Sequence, residues 1–496
     1  MQEWHVINYQ MYIDGDFCDA ATGERFETVN PANGVAWATA PTANEDDVNR
    51  AVAAAKRALF TGEWAEMTAT ARGKLLFRLA ELVEANSQHL GEIETTDSGK
   101  LAAETKAQTA YVGDYYRYYG GLADKIQGAT LPIDKPDMHV FTTREPIGVV
   151  AAIVPWNAEM FLTATKVGPA LAAGNTVVLK ASEQAPAPLL EFAKLVHEAG
   201  IPAGVVNVIT GFGEPCGRAL TSHPDVSRVA FTGGIDAARR VVENTANNFA
   251  HVSLELGGKS PILIFDDADL QGAVNGAVAG NFGATGQSCV AGTRVFVQSG
   301  IYDAFMSELV ARAEAIRIGD PLEANTQMGP LATERQRDHI ESVLADSAEQ
   351  GATIVTGGSR PDGFDDGWYF SPTVVACPDQ SIRSTQEELF GPVMSVLKFE
   401  TEEEGIALAN DTRFGLGSGV FTENGARALR VSKAIRSGIV WVNTYRAISP
   451  ISPFGGFGLS GYGREAGMDA IMEYTRTKAV WINTSSEPMA NPFIMR

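Results

Sequence analysis

Between residues 48 and 123 apolar side chains recur every three or four positions, as in Ala51, Ala54, Ala55, Ala58 and Leu59 and again in Leu75, Leu76, Leu79, Leu82 and Val83. That spacing lays one apolar stripe along a helix, so the stretch is predicted to be mainly helical. Near Gly148 the pattern changes. Short β-branched runs at 149–154, 176–179, 205–209 and 229–231 alternate with amphipathic stretches. Their ends lie roughly 20 to 30 residues apart, room for a strand, a crossover helix and a return, which predicts a parallel doubly wound sheet. The alternation resumes past Ser260, with apolar runs at 262–265, 294–297, 393–397 and 439–442, and predicts a second α/β unit. Segments 141–145 and 475–482 alternate polar and apolar residues and are read as flanking strands that pair with each other or across a subunit interface. Ligands of doubly wound sheets bind beyond the carboxyl ends of the strands. This directs attention to Pro155-Trp156-Asn157 and to residues 180–183, 211–217 and 232–234.

At 496 residues the chain is long enough for two or three domains. Its 60 acidic residues against 39 basic ones, a net charge of −21, oppose a phosphate backbone or an anionic membrane, so neither nucleic acid nor membrane is expected as a partner. No apolar run reaches the roughly 18 residues of a membrane span, and residues 1–17 lack a basic segment followed by an apolar one. The expected location is cytoplasmic. Cys18, Cys216, Cys289 and Cys377 are widely spread without a CxxC pair, and the seven histidines form no HExxH, so no disulfide framework or metal site is expected.

Several strand ends carry candidate chemistry. Gly211-Phe212-Gly213 with Gly217 stands where a dinucleotide loop would, although the last glycine comes one position late for GxGxxG. Phe231-Thr232-Gly233-Gly234 could turn free N–H groups at a helix start toward a pyrophosphate, or form a plain helix-entry turn. Lys180 and Glu183, around Ser182, could each reach a ribose hydroxyl; a carboxylate there opposes a 2′-phosphate and favours NAD over NADP, while a solvated ion pair is the alternative. Cys289 ends the small-residue run Phe282-Gly283-Ala284-Thr285-Gly286-Gln287-Ser288, which leaves a thiol accessible, whereas Cys18 and Cys377 read as inert. Glu255 stands between Leu254 and Leu256 ahead of Gly257-Gly258; partial burial there would raise its pKa toward the range useful to a base at neutral pH.

Taken as a set, Pro155-Trp156-Asn157, Phe231-Thr232-Gly233, Glu255-Leu256-Gly257-Gly258-Lys259, Gly286-Gln287-Ser288-Cys289 and Glu388-Leu389-Phe390-Gly391-Pro392 resemble the aldehyde dehydrogenase superfamily in order and spacing. The likeness extends from Ile13-Asp14-Gly15 to Gly461-Tyr462-Gly463-Arg464-Glu465. It implies two Rossmann-like α/β domains with a small β oligomerisation element: residues 1–126 and 147–256 for NAD binding, 257–460 for catalysis, 127–146 and 474–496 for oligomerisation into a homodimer or homotetramer. It also implies that Cys289 is the nucleophile, Glu255 the general base, and Asn157 with the Cys289 N–H the oxyanion hole. Lys180 and Glu183 would hold the adenosine ribose and Glu388 the nicotinamide ribose, with Phe390 positioning the nicotinamide ring and Trp156 walling the site. Pro155, Ser182, Gly213, Gly217, Phe231, Thr232, Gly233, Gly234, Leu256 and Gly257 complete the expected cofactor contacts. The sequence departs from the family pattern at Ala238, where a glycine often stands seven residues after the phenylalanine.

The implied reaction oxidises an aldehyde to the carboxylic acid through a thioester, with Glu255 activating the hydrolytic water. A relative that passes the acyl group to coenzyme A, a cysteine hydrolase using His251 as base, and a non-catalytic relative that has kept the fold are the alternatives. The expected substrate pocket comprises Tyr111, Tyr115, Glu159, Met160, Ser288, Val290, Arg446, Ile448 and Phe454. Its tyrosines and phenylalanine favour an apolar or aromatic aldehyde, the expected substrate, with Arg446 read as a solvated loop residue; pairing of Arg446 with the carboxylate of a semialdehyde is the alternative.

Overall fold

The computed structural model describes residues 6–489 and 491–494, so part of the 474–496 segment lies outside the described residues. The helical stretch forms as Glu45–Phe60, Glu63–Glu66, Ala69–Ala85, Ser87–Ser98 and Ala102–Leu122. The first of these starts with a capping box, the Asn44 side chain accepting from the Asp47 N–H while the Asp47 carboxylate accepts from the Asn44 N–H. It stops before Gly62, whose φ of 84° no helix continues.

The first sheet has eight strands, five of them parallel at its centre. The chain enters at Val149–Ile153, adds Thr176–Lys180 and Val206–Ile209 on one side, then crosses back to place Val226–Thr232 and His251–Glu255 on the other. The order therefore reverses beside Val149–Ile153, where Ile153 pairs with Phe231 and Thr232 with Glu255. A crevice opens at such a switch point because the two neighbouring connections leave toward opposite faces. The predicted strands are all present here, and the dipeptide Gly461–Tyr462 pairs antiparallel with the outer strand beside Glu255.

The second sheet has seven strands; Pro261–Ile264, Arg294–Gln298, Thr373–Ala376, Val393–Phe399, Gly417–Phe421 and Ile439–Val442 run parallel, with Thr353–Thr356 antiparallel at one edge. Met138–Pro146 and Thr475–Asn483 form a separate two-stranded ribbon, paired antiparallel along their whole length from Met138 with Asn483 to Pro146 with Thr475. Of the two pairings expected for these segments, the described chain makes the one with each other. Among the described residues no helix is long and apolar enough to cross a membrane.

Candidate active site

Glu255 is the last residue of its strand, and the Gly233 N–H donates to its carbonyl at 3.1 Å, which fixes the strand end against the neighbouring turn. The residue is 3% exposed, and neither carboxylate oxygen has a hydrogen-bond partner among the described residues. Burial, then the charge of Glu465, pushes its pKa well above the usual carboxylate range, opposed by Lys166 and Arg464. A buried carboxylate with both oxygens unpaired is costly unless it works on something. Gly455 lies against it: a Cβ there would come within 2.8 Å of Glu255 Oε1.

Cys289 ends a loop held in an unusual conformation. Ala284 and Thr285 have φ of 53° and 55° in the left-handed region, followed by Gly286 at 71°. Each non-glycine residue there costs on the order of 1–3 kcal/mol, so the surroundings must hold the loop. They do: the Ala284 N–H donates to Glu104 Oε1 at 3.2 Å, Thr285 Oγ1 to the Gly329 carbonyl at 3.2 Å, and the Ala332 N–H to Gln287 Oε1 at 2.9 Å. Asn157 Nδ2 donates one hydrogen to the Gln287 carbonyl at 3.1 Å, leaving its second amide hydrogen beside the sulfur's cavity. The Cys289 N–H finds no acceptor among the described residues. The thiol is half-buried, and burial with the charges of Glu255 and Glu388 pushes its pKa up to about 12.

Two cavities meet at Cys289, Asn157 and Leu162. The larger, about 380 Å³, lies between the carboxyl edge of the first sheet and the second α/β unit. Pro155, Trp156, Thr232, Gly233, Gly234, Glu255, Leu256, Gly257, Glu388 and Phe390 all line it. The Trp156 and Phe390 rings meet edge to face with centroids 5.4 Å apart, and Phe390 holds a φ of 51° to do so. Glu388 Oε1 accepts from the Gly258 N–H at 2.9 Å, and a Cβ on Gly257 would collide with that carboxylate. Burial lifts Glu388 to a pKa of about 7. Arg335, Gln336 and His339, from the Glu334–Glu349 helix, also line this cavity; sequence reasoning missed them because they read as one turn of an exposed helix face.

Lys180, Ser182, Glu183, Gly213 and Gly217 do not line this cavity; they sit beyond the ends of the next two strands. There Lys180 Nζ lies 3.4 Å from Glu183 Oε2, and Gly217 faces the Lys180 side chain. Phe231 corrects one expectation, because its ring packs in the apolar core beneath Gly233 instead of facing a ligand. The Thr232 hydroxyl accepts from the fully buried Lys166 Nζ at 2.6 Å, and Lys166 is ion-paired with Glu465.

The smaller cavity, about 260 Å³, is lined on the other side of the sulfur by Ser288, Val290, Arg446, Ile448 and Phe454 as expected, and by Lys100, Glu104, Gln108 and Phe161 in addition. Tyr115 lines an adjoining cavity that shares Phe161, Ile448 and Phe454, while the Tyr111 hydroxyl donates to the Ile448 carbonyl at 3.2 Å. Glu159 and Met160 are corrections. Both are fully buried at the first turn of the Glu159–Ala172 helix, which turns them away from the cavities that Asn157 faces. His251 stands exposed at the opposite end of its five-residue strand from Glu255, about 13 Å away at 3.3 Å per residue, too far to serve Cys289. That removes the basis of the hydrolase alternative.

A thiol at the junction of two cavities, with an unpaired buried carboxylate on one side, fits a reaction between two bound molecules. The larger cavity has the features a nicotinamide nucleotide needs: an aromatic wall for a planar ring, a carboxylate for ribose hydroxyls, and a helix N-terminus behind Gly233 and Gly234.

Comparison with known proteins agrees. Residues 17–480 match the model of the aldehyde dehydrogenase family. The chain is 56% identical to a (Z)-2-((N-methylformamido)methylene)-5-hydroxybutyrolactone dehydrogenase of Acinetobacter baylyi over 98% of this chain and 99% of that one. It is 44% identical to an aldehyde dehydrogenase of Aspergillus niger over 95% and 94% of the two chains. The NAD complex of an aldehyde dehydrogenase from Bacillus cereus superposes with a TM-score of 0.94 at 40% identity, covering 96% of this chain and 97% of that one. The fold, the paired cavities and these matches together place the chain in the aldehyde dehydrogenase family, as an oxidoreductase that oxidises aldehydes.

Proposed function

We propose that Cys289, Glu255 and Asn157 carry out this oxidation, and the observation that carries the reading is the unpaired, buried Glu255 carboxylate sharing a cavity with the Cys289 sulfur. Burial and the charges of Glu255 and Glu388 hold the Cys289 thiol mostly protonated at neutral pH, so a nearby proton acceptor speeds formation of the thiolate. Glu255 takes that proton, and the thiolate sulfur bonds to the aldehyde carbon while the carbonyl π pair moves to oxygen. The free Asn157 amide hydrogen and the Cys289 N–H hold the oxyanion, an interaction worth about 3–4 kcal/mol per donor. When bound, NAD supplies the acceptor for the hydride released as the oxyanion collapses to a thioester. Glu255 releases the thiol proton to solvent and then deprotonates a water that attacks the thioester; the sulfur leaves as a thiolate, which takes that second proton back, and the acid is set free.

Within this reading Glu388 holds the nicotinamide ribose, Trp156 and Phe390 flank the ring, and Lys180 with Glu183 holds the adenosine ribose. Glu183 would repel a 2′-phosphate, which favours NAD over NADP. Residues 1–126 with 147–256 serve cofactor binding, 257–460 catalysis, and 127–146 with 474–496 the joining of subunits. The ribbon exposes Trp481 and Ile482 and the outer edge of its Thr475–Asn483 strand, the edge of Met138–Pro146 being paired with residues 129–131, a surface suited to burial in a homodimer or homotetramer. The protein acts in the cytoplasm. Its relative from Acinetobacter is named for a 5-hydroxybutyrolactone, which is the ring-closed form of a 4-oxo acid. We extend to this chain an aldehyde carrying further oxygen functions.

The test is reduced-nucleotide formation by the purified protein with NAD or NADP, with and without coenzyme A. Turnover without coenzyme A and a kcat/KM at least about tenfold higher with NAD are expected. A requirement for coenzyme A, or equal use of NADP, would contradict the reading. A monomer in light scattering would contradict the role given to the ribbon.

A further inference from the structure

The cavity on the substrate side of Cys289 has a polar wall that the oxidation chemistry leaves unused. Phe161, Val290, Ile448 and Phe454 form its apolar lining, and Lys100, Glu104, Gln108 and Arg446 its polar one. Lys100 is spoken for: Nζ donates to the buried Glu94 Oε1 at 3.1 Å and to Gln108 Oε1 at 2.8 Å. Because the Gln108 oxygen is thus occupied, the amide nitrogen is its free end, a donor. Glu104 is tied by one oxygen to the Ala284 N–H, and its other oxygen is buried.

Arg446 differs from these. It is a partly buried loop residue, lying across Gly283, where a Cβ would collide with the guanidinium, with its outer face open to solvent. Its one hydrogen bond runs from Nη1 to the Ala279 carbonyl at 3.2 Å, and no carboxylate of the described residues lies within 4.0 Å of it. The remaining guanidinium N–H donors have no partner among the described residues. Its backbone is held at a φ of 62°, a conformation that non-glycine residues adopt only where the surroundings enforce it. The charge is within reach of the sulfur as well: Glu255 and Glu388 oppose the Cys289 thiolate and Arg446 favours it.

A fixed guanidinium fork without a carboxylate, in a cavity that also holds the nucleophile, lacks half of a bidentate pair. We propose that Arg446 anchors a carboxylate of the substrate, so that the enzyme's substrates are aldehydes bearing a carboxylate a few carbons from the reacting carbonyl. The apolar lining takes the connecting carbons, and Gln108 donates a further hydrogen bond. This inference rests on the assignment of Cys289 as nucleophile, since it is the shared cavity that orients the aldehyde end.

The experiment compares succinate semialdehyde with butanal, four-carbon aldehydes that differ in the carboxylate, at saturating NAD. Wild-type kcat/KM is expected to favour succinate semialdehyde by about 100-fold, the scale of a charge-assisted bidentate contact, and Arg446→Met to bring the ratio to within about threefold of one. Arg446→Lys is expected to recover part of the preference. A measurement on wild type alone guards against a misfolded variant: added succinate should compete with succinate semialdehyde, and butanamide at equal concentration should not. A wild type that takes both aldehydes alike, a ratio unmoved by Arg446→Met, or equal inhibition by the two additives overturns the anchor. Butanal turnover without a carboxylate preference would overturn the anchor alone, whereas no NADH from either aldehyde would overturn the nucleophile assignment with it.

Discussion

Cys289→Ala is expected to abolish NADH formation from every aldehyde, a loss of at least about 10⁴-fold in kcat/KM. An sp² aldehyde carbon does not readily release hydride, and only the covalent adduct turns it into a tetrahedral centre that does. No other thiol can substitute. Cys216 and Cys377 are buried, and Cys18 lies on the Asp16–Cys18 strand, outside both cavities. The fold should be unaffected, because the loop is held by Glu104, Gln287, Thr285 and the glycines around them and not by the sulfur. Unchanged binding of NAD, followed by fluorescence quenching, together with lost turnover is the expected pair of results. Residual turnover within about tenfold of wild type would remove Cys289 from the mechanism.

Glu255→Gln is expected to lower steady-state turnover by about 10²- to 10⁴-fold, the usual worth of a positioned general base. The amide matches the carboxylate in shape, and neither carboxylate oxygen has a partner to lose, so packing should survive. The pH profile separates a base from a mere wall. Burial raises the Glu255 pKa, so the protonated, inactive form persists above the usual carboxylate range and the working base appears only as pH climbs. Wild-type turnover should therefore rise with pH through that raised pKa, and the glutamine variant should lose the inflection. A variant that kept the wild-type profile would show that another group removes the protons.

Much of this was legible in the chain. Most of the parallel strands announced themselves because a sheet covered on both faces needs β-branched runs, whereas His251–Glu255 and Thr373–Ala376, and the order that creates the switch point, came only with the structure. Gly417–Phe421 escaped because its register depends on glycine: a Cβ on Gly419 would come within 2.8 Å of the Tyr445 ring, so a buried strand is written in small residues without the usual apolar signal. Motif residues at strand ends were found because chemistry concentrates there. Glu104 and Gln108 were not, since polar residues on a helix look the same whether they face solvent or a cavity wall, and Lys100 sits in the short connection before that helix. Glu159 and Met160 failed for the converse reason. Adjacency to Asn157 in sequence is not adjacency in space once a helix begins, and its first turn buries both side chains.

The central claim is that oxidation passes through an acyl group on the Cys289 sulfur that Glu255 helps to release. It is tested most directly by incubating Glu255→Gln with NAD and aldehyde, quenching in acid, and measuring the mass of the intact chain and its peptides. Formation of the adduct can still draw on thiolate ionised by bulk hydroxide, while hydrolysis has lost its base. The account predicts one equivalent of NADH per chain in a burst, and the mass of one acyl group on the peptide that contains Cys289. A chain of unchanged mass after such a burst, or an acyl group on any other residue, would contradict it.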